Sequence, residues 1–478
     1  MRIPHRLQAA CFLVTLLTAS TLLTACTVSP RALPSVVEDA LKQSEIPIQA
    51  TGVYVQEVGG GPVMAVFNPS TPFNPASTMK LVTSSAALEL LGPTYTWKTQ
   101  VYADGKQAGD ALLGDLIFKG NGDPKLVVEN FWLFLRRIRA QGIREIRGNL
   151  VLDRSAFQDT PFDPAAFDGD PTRTYNVGPD ALLLNYKALG FRFLPDPMTG
   201  KVHMIVDPPL AGYPVVAPKL SKDECGNWRA KLSPVIESGR ARFAGTYSAA
   251  CGDRTWYFHP YEMTSTQYFA AVFRHIWSEL GGTFHGEVRD GLVPASGRLI
   301  TEWESVSLSE VIRDINKYSN NVMARQLLLT IAGNVTKLSA TPDHGAAVVR
   351  TWLTNKGIDA PELSIENGSG LSRIERISPA TMARVLSVVF QSPTMPEFMS
   401  SLPVVGYDGT MRQRLRTQNV AGYAHIKTGM LNEVRAIAGY VLAASGKRYV
   451  VVFMINHPNA AKGQMAQDAL LQWIHEQG

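Results

Sequence analysis

Ser77 and Lys80 stand three residues apart in Asn74-Pro75-Ala76-Ser77-Thr78-Met79-Lys80, where the pattern predicts the start of a helix. Asn74 suits an N-cap, and Pro75 suits the first helical position, where its missing N–H costs nothing. The largely apolar run then continues to Leu91 and stops at Gly92-Pro93. In that register the hydroxyl and the amine share one face of a buried helix. A serine beside a lysine is a nucleophile paired with a base, the equipment of acyl transfer. Two further short patterns each occur once, Ser319-x-Asn321 and Lys427-Thr428-Gly429. Each is weak alone; their order and placement give them weight.

The elements that must position these residues follow from periodicity. Ala50 to Val58 and Val63 to Phe67 read as a hairpin turning at Gly59-Gly60-Gly61-Pro62. Helices are predicted at 307–317 and 322–332, with Tyr318-Ser319-Asn320-Asn321 breaking the pattern between them, because serine and asparagine compete for backbone hydrogen bonds. Further helices follow at 344–355 and 378–391. Tyr423 to Met430, Val434 to Ala443 and Lys447 to Asn456 read as sequential antiparallel strands before a last helix at 463–476. Both ends of the chain thus contribute to one sheet covered by helices. Between them, about 96 to 295, strand-like pieces alternate with Gly-, Pro- and Asp-rich loops, with helices near 128–140 and 265–280. Gly120-Asn121-Gly122-Asp123-Pro124 reads as a tight turn, since it lacks the Lys-Ser/Thr ending of a phosphate loop. The expected organisation is residues 1–26 as an export signal, 27–95 with 296–478 as one α/β (α+β) domain, and 96–295 as a large, mostly β insertion with an inner module at about 176–265.

Composition narrows the function classes. The 478 residues are too many for one ordinary domain, and 45% hydrophobic with 18% charged is a globular balance. A net charge of +5, with basic residues scattered, points away from nucleic acid; the cluster from Arg136 to Arg147 reads as the polar face of a helix. Arg2, His5 and Arg6 precede an apolar run from Ala9 to Leu23 that is too short to span a bilayer and stay there. It ends in Leu23-Thr24-Ala25-Cys26, which resembles the lipobox of bacterial lipoproteins with Cys26 lipidated. By that resemblance Thr27, rather than Asp, points to an outer-membrane anchor; the alternative is ordinary cleavage and a soluble periplasmic protein. Of four cysteines, Cys225 and Cys251 remain for an oxidising compartment, where such a pair tends to form a disulfide. Closing that loop would contribute about 3–4 kcal/mol on the chain-entropy account. Two thiols and nine scattered histidines, with no His-x-x-x-His pair, give no expectation of a metal or cofactor.

The three short patterns, in this order and on these elements, form the set found in penicillin-binding proteins and class A β-lactamases. Asp115-Leu116-Ile117-Phe118-Lys119-Gly120-Asn121-Gly122-Asp123-Pro124, Ile315 to Asn321, Gly368-Ser369-Gly370-Leu371-Ser372-Arg373 and Leu402 to Thr410 narrow the match. With them the chain resembles the class C, low-molecular-mass penicillin-binding proteins, type-4 D-alanyl-D-alanine carboxypeptidase/endopeptidases, over nearly all its mature length. Asn367 departs from that family's usual Asp before Gly-Ser-Gly, and the lipobox departs from the many soluble relatives.

The resemblance implies a β-lactamase/transpeptidase-like fold, no cofactor, peptidoglycan stem peptides as substrates and β-lactam antibiotics as covalent inhibitors. It implies that Ser77 attacks the penultimate D-alanine carbonyl while neutral Lys80 takes its proton, Lys427 and burial both lowering the amine's pKa. Ser319 relays a proton to the leaving nitrogen, and Asn321 orients Lys80 and holds the substrate. The backbone N–H groups of Ser77 and Met430 bind the oxyanion. Lys427 and Thr428 receive the terminal carboxylate, and Gly429 lets the strand approach. Arg373 borders the site. Asp170 and Tyr175, spaced by five, line the cleft toward the stem's diamino acid; a loop cap for Asp170 and a plain core aromatic for Tyr175 are the competing readings. A serine β-lactamase and a non-catalytic wall-binding lipoprotein of the same fold are the competing functions.

Overall fold

The computed structural model describes residues 33–478. The expected export signal and lipobox, with Cys26, lie outside the described residues. The two ends of the chain build a five-stranded, wholly antiparallel sheet in the order Ala424–Leu431, Val434–Leu442, Arg448–Asn456, Thr51–Glu57, Val63–Phe67. The near-continuous apolar run Tyr449-Val450-Val451-Val452-Phe453-Met454-Ile455 suits a strand covered on both faces. Period-two alternation sends Val450, Val452 and Met454 to one side and Val451, Phe453 and Ile455 to the other. The first side packs on the helices Met79–Leu91, Leu308–Lys317, Asn321–Thr336, Pro342–Asn355 and Pro379–Phe390. The second is covered by Ser35–Gln43 and Gln464–Gln477.

Around Ser77 the expectation of a helix starting at Pro75 needs correction. Ala76–Thr78 form a 3-10 turn and the α-helix begins at Met79. Ala76 takes φ +45°, the left-handed region an alanine rarely occupies, and Asn74 Oδ1 accepts its N–H at 2.9 Å. Asn74 is therefore an anchor for this bend and not the cap of the α-helix. It also ties Ser372 through its Nδ2, and Asn456 holds both its N–H and its carbonyl. A short helix not anticipated from the pattern, Met395–Ser401, precedes the Leu402 segment.

The insertion has a mixed seven-stranded sheet whose main path runs Thr283–Phe284, Glu145–Ile146, Ala111–Lys119, Lys98–Ala108, Arg298–Glu304. Arg298–Glu304 lies beyond the expected limit at 295, yet it pairs antiparallel with Lys98–Ala103, so by hydrogen bonding it belongs to the insertion's sheet. Two smaller sheets are built from strands between Leu189 and Phe258, within the expected inner module. Both levels share one core: Phe118, Phe131 and Phe269 are in the same cluster as Phe191, Phe193 and Phe243. The Cys225 and Cys251 sulfurs lie 2.11 Å apart, with Cα atoms separated by 4.8 Å.

Docking of the insertion explains why it matters to the site. Gln326 donates to the carbonyls of Gly122 and Asp180 and accepts from Asp180 N–H. Arg325, almost wholly buried, donates to the carbonyls of Tyr175 and Val177 at 3.1 and 2.8 Å. Lys125 pairs with Asp314 at 2.5 Å. All three anchors are on the two helices that flank Ser319.

Candidate active site

Three elements bring Ser77, Ser319 and Lys427 together. The first is the helix opening at Met79. Lys80 projects from its first turn, fully buried, with Nζ 3.0 Å from Ser77 Oγ. The second is the bend at Tyr318-Ser319-Asn320. Asn320 Oδ1 caps the following helix by accepting Met323 N–H at 3.0 Å, and Ser319 takes φ +58°. That cap satisfies a helix-end donor and leaves Asn321 in the first turn, where its Oδ1 meets Lys80 Nζ at 2.5 Å. Left-handed serine and alanine are local strain of the kind that collects at reactive centres.

The third is the strand Ala424–Leu431, which is an edge of the sheet. Val404 and Val405 cover its first residues: Val405 N–H donates to Ala424 O, and Ile426 N–H to Pro403 O. From Lys427 onward the strand turns to Ser77 instead. A side chain at Gly429 would place Cβ 2.6 Å from Pro75 O and 3.1 Å from Ser77 N, so only glycine permits this approach. Lys427 Nζ donates to Ser319 Oγ at 2.9 Å and Thr428 O at 2.8 Å, and Thr428 Oγ1 donates to Thr410 Oγ1 at 2.8 Å. Met430, mostly exposed, follows at the open part of the edge.

Charge follows burial. The Lys80 amine is driven well below its ordinary range, first by desolvation and then by the Lys427 and Arg325 cations, against the pull of Glu375. Burial alone lowers Lys427 to about 7. The polar partners of Lys80 then fix its geometry. Asn321 Oδ1 and the Ser369 carbonyl can only accept, so they take the two N–H groups of a neutral amine. The lone pair is left for Ser77, whose O–H can donate to it. Among the described residues no cluster of His, Cys, Asp or Glu could hold a metal ion.

Sequence reasoning missed three participants. Ser369 lies in a quoted motif, but only the fold shows its carbonyl on Lys80. Thr410 likewise reaches Thr428 through a loop held by the Lys317–Asp408 pair, 2.6 Å long, with Asp408 Oδ1 accepting Val404 N–H. Glu375 is fully buried beside the turn that leads into Gly368-Ser369-Gly370, and nothing in its local sequence marks it.

The outlying candidates are placed differently. Arg373 is exposed and stacks on Phe167 of the insertion, 4.6 Å from the ring centre. Asp170 spends both carboxylate oxygens on its own loop, taking Thr172 N–H and Oγ1 on one and Arg173 Nε on the other. Tyr175 donates to Asp168, not Asp170, at 2.6 Å. Asp170 and Tyr175 do share the wall of one open cavity of about 390 Å³ with Arg229, Trp256 and Tyr257.

The profile of the D-Ala-D-Ala carboxypeptidase 3 (S13) peptidase family matches residues 33–477. The chain belongs to this family. It is 26% identical over 413 residues to the D-alanyl-D-alanine carboxypeptidase DacB of Haemophilus influenzae, covering 85% of each chain. It is 28% identical over 444 residues to a D-alanyl-D-alanine carboxypeptidase of an Actinomadura species, covering 88% of this chain and 80% of the relative. The crystal structure of penicillin-binding protein 4 from H. influenzae superposes with a TM-score of 0.76 at 25% identity, over 92% of this chain and 99% of that one. A complex of the same protein with a β-lactam superposes with a TM-score of 0.72. The S13 chain is thus a serine D-Ala-D-Ala peptidase of the cell wall, and the α/β fold expected from the motifs is the fold it has.

Proposed function

We propose that the chain cleaves D-alanyl-D-alanine termini, D-alanyl-diamino-acid cross-links, or both, through an acyl-enzyme on Ser77. The observation that carries this reading is Lys80 Nζ held 3.0 Å from Ser77 Oγ by two acceptor-only partners, Asn321 Oδ1 and Ser369 O, which leaves the amine's lone pair for Ser77 when the amine is neutral. Ser77 attacks the carbonyl of the penultimate D-alanine as its proton passes to Lys80. The N–H groups of Ser77 and Met430 receive the oxyanion, each such donor being worth ~3–4 kcal/mol in comparable sites. The proton taken by Lys80 is relayed through Ser319, held by Lys427, to the leaving nitrogen, and Lys427 with Thr428 receives the substrate carboxylate. Water then releases the acyl group. Arg373, Asp170 and Tyr175 contribute to substrate choice at the mouth of the cleft, where Arg373 joins the Gly-rich turn to the insertion.

Export through residues 1–26, lipidation of Cys26, an outer-membrane anchor and a Cys225–Cys251 disulfide complete the proposal. The approach of the two cysteines, with Cα atoms 4.8 Å apart, supports the last of these. Fluorescent penicillin tests the chemistry: wild type is labelled stoichiometrically and Ser77→Ala is not. Rapid nitrocefin turnover would move the reading to a β-lactamase, and equal labelling of both proteins would favour the non-catalytic reading. Digestion of purified monomeric and cross-linked muropeptides separates carboxypeptidase from endopeptidase.

A further inference from the structure

Glu375 is fully buried and outside every motif read above. Its Oε1 accepts three consecutive backbone N–H groups, from Glu366, Asn367 and Gly368, at 3.1, 3.0 and 2.9 Å. Its Oε2 is buried without a partner. The turn gathered on Oε1 delivers two successive carbonyls to one face of the Met79–Leu91 helix. Thr83 Oγ1 donates to Gly368 O at 2.7 Å, and Lys80 Nζ donates to Ser369 O. Gly370, next in line, sits at φ +78°, where a Cβ would collide with the Ala76 carbonyl 1.9 Å away. The turn is therefore wedged between the base and the backbone of the nucleophile.

We propose that Glu375 is a positioning residue for acylation: it fixes the turn whose Ser369 carbonyl orients Lys80, and supplies a buried carboxylate among the cations of the site. Lys80 on the nucleophile helix and Arg325 on the Asn321 helix face it; Glu366 on its own turn also acts on Arg325, and Lys427 on the edge strand acts on Lys80. Burial drives the Lys80 amine down first and Lys427 and Arg325 push it further, while the Glu375 carboxylate pulls the other way, so losing its charge lets the amine turn neutral at lower pH. Burial raises the carboxyl's own pKa. Three convergent donors can be met by a carbonyl oxygen as well as by a carboxylate. Position and charge are therefore separable by substitution.

The proposal rests on Lys80 acting as base toward Ser77. The experiment is the pH profile of acylation by a fluorescent penicillin for full-length wild type, Glu375→Gln, Glu375→Asp and Glu375→Ala. Gln keeps the acceptor and loses the charge, so its plateau stays within about threefold while the acid limb moves about half a unit or more to lower pH. Asp keeps the charge but falls short of the turn, so the limb stays and the plateau drops. Ala loses both, with a plateau about 10²-fold down. An unmoved limb in Glu375→Gln overturns the proposal, as does a wild-type plateau in Glu375→Asp; these two variants decide if Ala does not fold. Labelling of Ser77→Ala at the wild-type rate would overturn the nucleophile assignment and this proposal with it, whereas failure of Glu375 alone leaves Ser77→Ala unlabelled.

Discussion

Lys427 Nζ donates to Ser319 Oγ over 2.9 Å, joining an edge strand to a loop 108 positions away. Neither partner is in a comfortable state by itself. The lysine is fully buried with its pKa near 7, and the serine holds a left-handed backbone. Each is retained by the other and by the elements behind them: the strand by its pairing with Val434–Leu442, the loop by the Asn320 cap. Strain and desolvation are thus concentrated at the junction of the loop and the edge strand.

The first prediction concerns stability against pH. Lys427 is protonated up to about 7 when folded, but up to its ordinary 10.5 when unfolded. Between those values the unfolded chain binds the extra proton, so this group makes the fold more stable as pH rises. Below about 7 the buried cation is present in full and its desolvation opposes folding. Lys427→Met, measured by urea unfolding, should gain most over wild type near pH 6.5, and its advantage should shrink toward pH 10. A difference that stays constant or widens contradicts a buried, easily neutralised amine.

Glycine replacements grade the closeness of the cleft walls. Gly370→Ala meets both a positive φ and a carbonyl at 1.9 Å, and Gly429→Ala meets Pro75 O at 2.6 Å in an otherwise extended strand. Gly370→Ala should lower the second-order rate of penicillin acylation by about 10²-fold or more, and Gly429→Ala by less, because a misplacement near 1 Å costs about that factor. Both should keep the wild-type far-UV circular dichroism. The reverse order of severity would mean that the Gly-Ser-Gly turn can move away from Ser77.

Much of this was legible beforehand, and the gaps have physical causes. The meander from Ala424 to Asn456 is periodic and two-faced, and strands of that kind announce themselves. Ser77, Lys80, Ser319, Asn321 and Lys427 carry unusual chemistry in short fixed spacings, so their meeting could be anticipated. The bend at Ala76 could not: Asn-Pro before an apolar run is an ordinary helix start, and the tertiary approach of Gly370 and Gly429 overrides it. Glu375 was invisible because its partners are backbone N–H groups, which any sequence supplies. The Tyr175–Asp168 hydrogen bond was equally invisible, because a side-chain pair seven positions apart in a loop follows no period.

Asn321→Asp should act through charge with little change in shape. The native Oδ1 is 2.5 Å from Lys80 Nζ, and a carboxylate there would hold the amine's proton. Penicillin acylation should then fall strongly at neutral pH and recover as pH is raised, the acid limb moving to higher pH. That is opposite in sign to the shift expected for Glu375→Gln. Loss that is uniform across pH 6 to 10 would show instead that Asn321 matters only for holding the substrate.

Arg373 offers a test of the insertion's part in substrate choice. It is exposed, carries no acidic partner among the described contacts, and stacks on Phe167 at 4.6 Å. Phe167 immediately precedes Asp168, which accepts from Tyr175, and Tyr175 O is fixed by Arg325 one turn beyond Asn321. On the proposed reading a small β-lactam needs only the three motif elements, whereas a stem peptide also meets this junction. Arg373→Ala and Phe167→Ala should therefore leave penicillin acylation within about threefold, since exposed cation–π contacts contribute only about 0.5–1 kcal/mol to the fold. Both should lower kcat/KM on muropeptides more than tenfold, an effect that disappears when the stem's diamino acid is removed from the substrate. Equal losses on penicillin and muropeptide would place Arg373 in the support of the Gly-rich turn, with no contact to the peptide.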